Sequence, residues 1–266
     1  MPAAMPPRNE RPSLPRPGQR RYWAAVDLES GRAWLNAAEA RHALRVMRHR
    51  SGDRIEVIDG SGRLFEVVIG ENEEGPGGER VLGGRIEAVH EADAAATLPW
   101  LVQALIRPTR LEALIEGATQ LGLAGVMLFA GEHTTVPARM TAARRERLLR
   151  IMRAATAQSL GFRLPELRGP VPFADLPAAL TGFRIWVAHG PGAEASVAAP
   201  LVVEANAAQA LVVGPEGGLT DSEVALLIQC GARIIDLGPR RLRSETAALA
   251  GLTLISATLR GATPAL

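Results

Sequence analysis

The sequence predicts an α/β protein in which a small N-terminal β-barrel precedes a domain built on a mostly parallel sheet. Two patterns predict this fold class. Short strands interrupted by one helix fill the first part, as in small barrels of about 70 residues. Strands and helices then alternate, which places parallel strands in one sheet with helices on its faces. The 266 residues are 47% hydrophobic, which is enough for a core in each domain.

Composition divides the chain into a leader, the barrel and the sheet domain, at residues 1–19, 20–92 and 93–266. The leader combines prolines and arginines without hydrophobic periodicity, which is typical of disorder. Asp59-Gly60-Ser61-Gly62 is a hairpin signal between two strands of the barrel. Barrel strands are predicted at residues 22–26, 54–59, 64–69 and 79–89, and one helix at 37–47.

The sheet domain follows a loop at residues 91–97. Thr220 and Glu223 form a predicted capping box at the start of one of its helices. The last helix is apolar almost all round, so it lies in a core or against a partner, and a homodimer interface is expected. Strands are predicted at 100–105, 126–129, 184–188, 210–213 and 234–237, and helices at 110–121, 141–159, 220–230 and 245–259.

Composition excludes several classes of protein. All 30 basic residues are arginine, which excludes a Walker A phosphate loop, a Schiff-base enzyme and a lysine general base. The chain has neither an apolar run long enough to span a membrane nor a secretory signal, so a soluble cytoplasmic protein is expected. Cys230 is the only cysteine and is expected to be buried on its helix. His42 and His49 lack partners at metal-ligand spacing, so no metal site is predicted.

Two loops rich in glycine and proline follow apolar strands near the end of the chain. Gly214–Gly218 follows one strand, and Leu237–Ala247 follows the next. Open α/β sheets bind their ligands at the carboxyl ends of their strands, so a ligand site is expected here. The spacing does not match the dinucleotide fingerprint G-x-G-x-x-G. Arg240, Arg241 and Arg243 crowd a helix N-terminus, which favours an anionic ligand over a turn that binds nothing.

The two loops also carry a family resemblance. Val213–Thr220, Leu237–Arg240 and Leu242–Ala247 resemble the RsmE family, the bacterial 16S rRNA uridine N3-methyltransferases of the SPOUT class. The resemblance continues upstream and covers residues 20–266. The upstream segments that carry it are Arg41–Arg48 with Gly52-Asp53, Arg110–Glu112, Ala118–Gly122, Gln158-Ser159 and Arg163–Glu166.

The resemblance implies a PUA-like RNA-binding barrel followed by a SPOUT α/β domain with a C-terminal deep trefoil knot, in a homodimer that acts on the 30S ribosomal subunit. It also implies S-adenosylmethionine as the cofactor, folded among three loops. Ala157 and Gln120 depart from the family pattern. These departures bear on the exact RNA that is preferred more than on methyltransferase activity. The implied cofactor-binding residues are His189, Gly190, Gly214, Pro215, Glu216, Gly217, Gly218, Leu237, Gly238, Leu242, Arg243 and Thr246.

The expected chemistry is removal of the N3 proton of a uridine and attack on the sulfonium methyl group. Arg243 is the predicted catalytic residue that stabilises the uracil anion. Glu245 is the predicted base or the residue that orients Arg243, the alternative being a carboxylate stabilised by the helix dipole. Hydrogen bonding within its own turn is the alternative role for Glu216, and a structural role is the alternative for His189.

Two groups of arginines are expected to bind the RNA through its phosphates. For the second group, the alternative is a helix surface that is only solvated. The first group is Arg20, Arg21, Arg41, Arg45 and Arg48, and the second is Arg144, Arg145, Arg147, Arg150 and Arg153. Two other functions stay open: a SPOUT methyltransferase for another RNA such as tRNA, and a non-catalytic RNA-binding assembly factor.

Overall fold

The computed structural model describes residues 20–76, 80–91, 98–189 and 207–261. The described residues within Met1–Asp93, together with Thr156–Leu164, form one compact unit, and those within Ala94–Ala155 and Pro165–Leu266 form a second. The predicted leader 1–19, the first residue of the strand predicted at 79–89, and Gly190 lie outside the described residues.

The first unit contains a closed five-stranded barrel in the order β1-β2-β5-β4-β3. Parallel pairing of β1 with β3 closes it, and the other neighbours are antiparallel. Alternate apolar side chains point inward, including fully buried Val57 and Phe65. The strands are β1 Tyr22–Asp27, β2 Arg32–Leu35, β3 Arg54–Ile58, β4 Arg63–Glu74 and β5 Arg80–Glu91.

The predicted hairpin is confirmed, because β3 and β4 pair from Arg54↔Val68 to Ile58↔Leu64. The helix predicted over 37–47 is α-helical only as α1, Ala37–Arg41, which Asn36 caps. It continues as a π-helical turn over His42–Val46, where Met47 N donates to the His42 carbonyl five residues back. Such turns are rare and frequent at functional sites.

The second unit is built on a six-stranded sheet in the order β11-β9-β10-β6-β7-β8. Every neighbouring pair is parallel, which confirms the predicted parallel sheet. Strands β6 and β10 lie in the middle and are almost wholly buried. The strands are β6 Trp100–Ala104, β7 Gly125–Ala130, β8 Glu166–Pro172, β9 Phe183–Ala188, β10 Ala208–Val213 and β11 Arg233–Ile235.

Helices cover this sheet. Pro108 occupies the first turn of α2, which therefore begins two residues earlier than expected, and Gly122 follows its end with a φ of +89°. The capping box between Thr220 and Glu223 is confirmed at the start of α5. The helices are α2 Pro108–Leu121, α3 Ala142–Gln158, α4 Leu176–Ala179, α5 Asp221–Gln229 and α6 Ser244–Leu259.

Cys230 is exposed, so the prediction of a buried cysteine was wrong. The reason is local: α5 ends at Gln229 and Cys230 is its C-cap residue, where the chain turns away from the apolar face. No helix in the described ranges combines the length and the hydropathy that a membrane crossing requires.

Candidate functional site

The two glycine-rich loops leave the sheet at the same edge, because β10 and β11 run parallel to their neighbours. In the first loop the Gly218 amide donates to the Pro215 carbonyl at 2.9 Å, and Gly218 has a φ of +79°. A Cβ on Gly214 would lie 2.8 Å from the Leu219 nitrogen and 3.0 Å from the Gly218 carbonyl carbon. The loop thus folds tightly on itself and requires glycine at its first position.

A chain of buried hydrogen bonds joins this loop to the second one. Gln103 Nε2, near the end of β6, donates to Ser244 Oγ at 2.9 Å. The Ser244 hydroxyl donates in turn to the Gly214 carbonyl at 2.6 Å. Three segments that are distant in sequence therefore meet at the first residue of α6.

An arginine and two carboxylates lie beside this junction. Arg110, in the first turn of α2, is 3.9 Å from Glu216 in the first loop and 3.8 Å from Glu245 in the first turn of α6. The Oε2 atom of Glu245 is buried and has no hydrogen-bond partner among the described residues. Glu245 thus pairs with Arg110, and not with Arg243 as one of the predicted roles required.

Arg243 is the exposed N-cap residue of α6. Across the described parts of the chain, no hydrogen bond or ion pair engages its side chain, nor those of exposed Arg240 and Arg241. Two half-buried apolar residues, Leu237 and Leu242, accompany these cations in the second loop. Gly238 in the same loop has a φ of +90°, and Thr246 on α6 is exposed.

The loop after β7 supports the first glycine loop from the other side. His133 Nδ1 lies 3.2 Å from the carbonyl oxygens of both Gly217 and Gly218, so the imidazole donates from Nδ1. Buried Glu223 accepts from the amides of Glu132 and Thr220, each at 2.9 Å. His189, the third predicted contact region, is half-buried directly after β9.

In the first unit, the exposed cations surround the π-helical turn. Arg41, Arg45 and Arg48 are all exposed, as an RNA contact requires. Arg20 is partly exposed and lies 3.5 Å from Glu39.

Arg21 was predicted to bind RNA, but it is only 4% exposed, so the structure removes it from that group. Its Nε donates to Glu56 at 2.8 Å, and its guanidinium lies 4.2 Å from the Phe162 ring centroid. Burial lowers the pKa of Arg21, while the hydrogen bond that it donates to Glu56 opposes that shift. This arginine holds the unit together internally and does not face solvent.

The second predicted arginine group, on α3, is partly engaged within its own unit. Arg147 binds both carboxylate oxygens of Glu112 on α2, with NH2–Oε2 at 2.7 Å. That hydrogen bond holds the pKa of Glu112 below its usual value. Arg145 donates to the Leu167 carbonyl. These contacts favour a structural role for this part of α3.

Sequence reasoning missed three residues of the site: Gln103, Ser244 and His133. One signal was available for Gln103, which is a polar residue inside an otherwise apolar strand. Ser244 lies within the quoted motif but received no role. In the described portion of the chain, no cluster of three or more histidine, cysteine or acidic side chains is placed to hold a metal ion.

Comparison with known proteins decides the family. A family model described as an RNA methyltransferase domain matches residues 97–256, more than half of the chain. A model described as an RNA methyltransferase PUA domain matches residues 35–74. The ribosomal RNA small subunit methyltransferase E of Mycobacterium tuberculosis is 34% identical over 230 residues, covering 83% of this chain and 84% of that protein. This chain belongs to the ribosomal RNA small subunit methyltransferase E family.

The resemblance to this family, drawn from the loop motifs, is thereby confirmed. Two solved structures share the fold. A probable rRNA-methyltransferase from Porphyromonas gingivalis is 27% identical with a TM-score of 0.74, over 91% of this chain and 98% of that one. The methyltransferase E of Neisseria gonorrhoeae, bound to S-adenosyl methionine, is 24% identical with a TM-score of 0.74 over the same shares. At that lower identity the likeness concerns the fold.

Proposed function

We propose that this member of the methyltransferase E family transfers a methyl group from S-adenosylmethionine to N3 of a uridine in 16S rRNA, on the 30S subunit. One observation carries the proposal: the two motif loops are hydrogen-bonded to each other at the carboxyl edge of a parallel sheet, beside Arg243, which no described residue pairs with. That edge is where such sheets hold their ligands.

The residues of the two loops fit the proposed cofactor. Glycines in the first loop have no side chain that would separate their backbone from a nucleoside. Gly217 is exposed and packs on one side against His133, and Gly218 is half-buried. Half-buried Leu237 and Leu242 offer apolar surface for an adenine ring. His189, Gly190, Pro215 and Thr246 complete the proposed contact set. When bound, the cofactor supplies an electrophilic methyl group on a sulfonium sulfur.

Arg243 and Glu245 are the proposed catalytic residues. Arg243 is exposed and unengaged by the described residues, so its guanidinium is free to donate to a uracil oxygen that gains negative charge. Glu245 directs Oε1 toward Arg110 and leaves the buried Oε2 without a hydrogen bond from the described residues. In this proposal the Glu245 side chain at the start of α6 moves when the RNA binds, so that Oε2 reaches the N3 proton. A carboxylate that only stabilises the start of α6 is the alternative.

The barrel is the proposed RNA-binding part. Arg41, Arg45 and Arg48 present three exposed guanidinium groups at the π-helical turn, and Arg20 lies 3.5 Å from Glu39 on α1, the helix that precedes this turn. Guanidinium groups suit phosphate oxygens and carry no sequence information by themselves. We assign residues 20–92 to the PUA-like barrel, 93–266 to the SPOUT domain and 1–19 to a basic leader.

We further propose that the second domain carries a deep trefoil knot and forms a homodimer in the cytoplasm. The knot is proposed from the family; the sheet order shows the crossover that it requires, since β11 lies beyond β9 although β10 precedes it in sequence. For the homodimer the support is apolar surface that the monomer leaves uncovered: Leu226 and Ile228 on α5 are 37% and 47% exposed.

Transfer of labelled methyl groups to three RNAs tests the substrate. The proposal expects label on 30S subunits that lack the modification, with less or none on naked 16S rRNA and none on tRNA. Label on tRNA alone would show that tRNA is the substrate and would leave the proposed methyl transfer unchanged. Cofactor binding without transfer to any RNA would support the alternative of a non-catalytic assembly factor.

A further inference from the structure

We propose that Ser244 is a positioning residue that fixes the second motif loop against the first and thereby aims Arg243 and Glu245, with Gln103 setting the direction of its hydroxyl. The inference rests on the proposed function of these two residues. It assigns a role in the reaction to two buried residues that are not among the proposed cofactor contacts or catalytic residues.

The direction of each hydrogen bond follows from the donors and acceptors. Gln103 Nε2 lies 2.9 Å from the Ala104 carbonyl and 2.9 Å from Ser244 Oγ, so both amide hydrogens are used. The opposite amide orientation would place Oε1 against a carbonyl oxygen, which has no proton to share. Since Ser244 Oγ accepts from Gln103, its own proton is directed to the Gly214 carbonyl 2.6 Å away.

Burial makes this arrangement hard to replace. Gln103 is 0% exposed and Ser244 is 7% exposed. Without the serine hydroxyl, the Gly214 carbonyl and one Gln103 amide hydrogen would stay buried and unpaired, which costs more than an exposed hydrogen bond. The structure therefore resists any movement of the start of α6 away from the first loop.

The N-terminus of α6 depends on the hydrogen bond between Ser244 and Gly214 because it lacks a side-chain N-cap. The N-cap residue is Arg243, which makes no side-chain capping bond, although serine is among the preferred N-cap residues. Ser244 stands one position later and turns its hydroxyl inward to Gly214. It lies between Arg243 and Glu245 in sequence, so its anchorage sets the position of both.

The test compares Ser244→Ala, Gln103→Leu and the conservative Ser244→Thr with a matched control, Ser256→Ala. Ser256 lies on the same helix and is 6% exposed, and its hydroxyl has no hydrogen-bond partner among the described residues. Turnover, KM, cofactor affinity by calorimetry and amide hydrogen exchange of residues 214–219 are measured on each purified full-length variant.

We expect Ser244→Ala and Gln103→Leu to lower kcat by about tenfold to a hundredfold, the range for small misplacements of catalytic groups. Ser244→Thr should recover most of that loss, and Ser256→Ala should match the wild type. The double variant Ser244→Ala/Gln103→Leu should lose no more than the worse single variant, because both remove the same link. Exchange of residues 214–219 should accelerate in the first two variants only.

The outcomes separate this inference from the proposed function. Wild-type kcat together with unchanged exchange in Ser244→Ala would overturn the positioning role. A wild-type protein that methylates no RNA would overturn the proposed function, while the exchange comparison would still decide whether Ser244 fixes the loop. A fall in kcat in Ser256→Ala as large as in Ser244→Ala would reduce the effect to general packing and also overturn it.

Discussion

At the scale of single residues, the site contains two kinds of arginine. Arg110 lies between two carboxylates at 3.8 and 3.9 Å, while Arg243 makes no contact of that kind with the described residues. A cation between two carboxylates organises its neighbours, and an unengaged one is open to a ligand. This difference supports our proposal that Arg243 stabilises the developing charge, and it gives Arg110 a supporting role in that proposal.

Replacing Arg243 by alanine should therefore lower turnover by about a hundredfold to a thousandfold, as for other donors that stabilise a developing anion. Cofactor affinity should remain within a few fold, because glycine-loop backbone groups carry most of that binding. Single-turnover kinetics and calorimetry measure the two quantities. Arg241→Ala, which removes a nearby exposed cation, is the control; turnover unchanged in Arg243→Ala would remove this residue from the mechanism.

The sequence predicted which residues belong to the site where they fall within a motif. It could not predict which of the candidate residues are buried. The sequence motif alone points to Gly214, Arg243 and Glu245. It could not indicate that Arg21 is buried against Glu56, because that partner lies 35 residues away and meets it only in the closed barrel. Gln103 was missed for the same reason, since Ser244 is 141 residues away.

At the scale of elements, local signals predicted most strands and helices and missed those that depend on neighbours. The Thr220 capping box and the Asp59–Gly62 hairpin are local, and both were confirmed. Strand β2 has only four residues, and β8 contains Gly169 and Pro170, which disfavour strands. Proline is tolerated there because β8 is an edge strand, a position that the sequence does not reveal.

Gly214→Ala should disrupt the first loop. The new Cβ would lie 2.8 Å from a backbone nitrogen, so the loop must move, at a cost of roughly 1–3 kcal/mol in stability. Cofactor affinity should fall by about tenfold or more, since this loop is the proposed binding surface. Thermal unfolding and calorimetry measure both effects.

Gly117→Ala is the control for this substitution. Gly117 lies inside α2, and its Cβ would meet only the end of the Leu249 side chain, at 3.3 Å. Stability should stay equal or rise by up to about 1 kcal/mol from helix propensity, with cofactor affinity unchanged. Wild-type cofactor affinity in Gly214→Ala would contradict the assignment of this loop.

The link between α2 and α3 should depend on pH. The hydrogen bond from Arg147 lowers the pKa of Glu112, so its stabilisation is present above the unfolded-state pKa of about 4.3 and is lost as pH falls through the folded-state value. Glu112→Gln should lower the melting temperature slightly at pH 7 and match the wild type in acid. Glu116 is exposed on the same helix, so the control Glu116→Gln should melt at the wild-type temperature at both pH values. If Glu112→Gln still melted below the wild type in acid, the electrostatic cause would be contradicted.

At the scale of the whole molecule, the small net charge of +2 makes RNA binding depend on local patches. Arg41→Ala, Arg45→Ala and Arg48→Ala should each weaken RNA binding and reduce the slope of log affinity against log salt by about one phosphate contact. Arg54→Ala is the control, because that exposed barrel arginine already pairs with Glu87 at 2.9 Å. An unchanged slope in all three variants would place the RNA elsewhere.

The alternation of strands and helices predicted the fold class of the chain. It could not predict the path that the chain takes between the strands of the sheet. Periodicity indicates which segments are strands, but the position of β11 beyond β9 depends on the path of the chain through space. The knot and the homodimer were expected only from the family resemblance, and both stay predictions. The family itself could be predicted, because the two loop motifs are specific and close together in sequence.

The central claim is methylation of uridine at N3, and the product nucleoside tests it most directly. Ribosomal 30S subunits that lack the modification are incubated with the protein and labelled S-adenosylmethionine. The rRNA is then digested, and its nucleosides are separated by chromatography and identified by mass spectrometry. We predict a single labelled product, N3-methyluridine, from one position of 16S rRNA. Label in a different nucleoside, or at the ribose, would contradict the assigned chemistry.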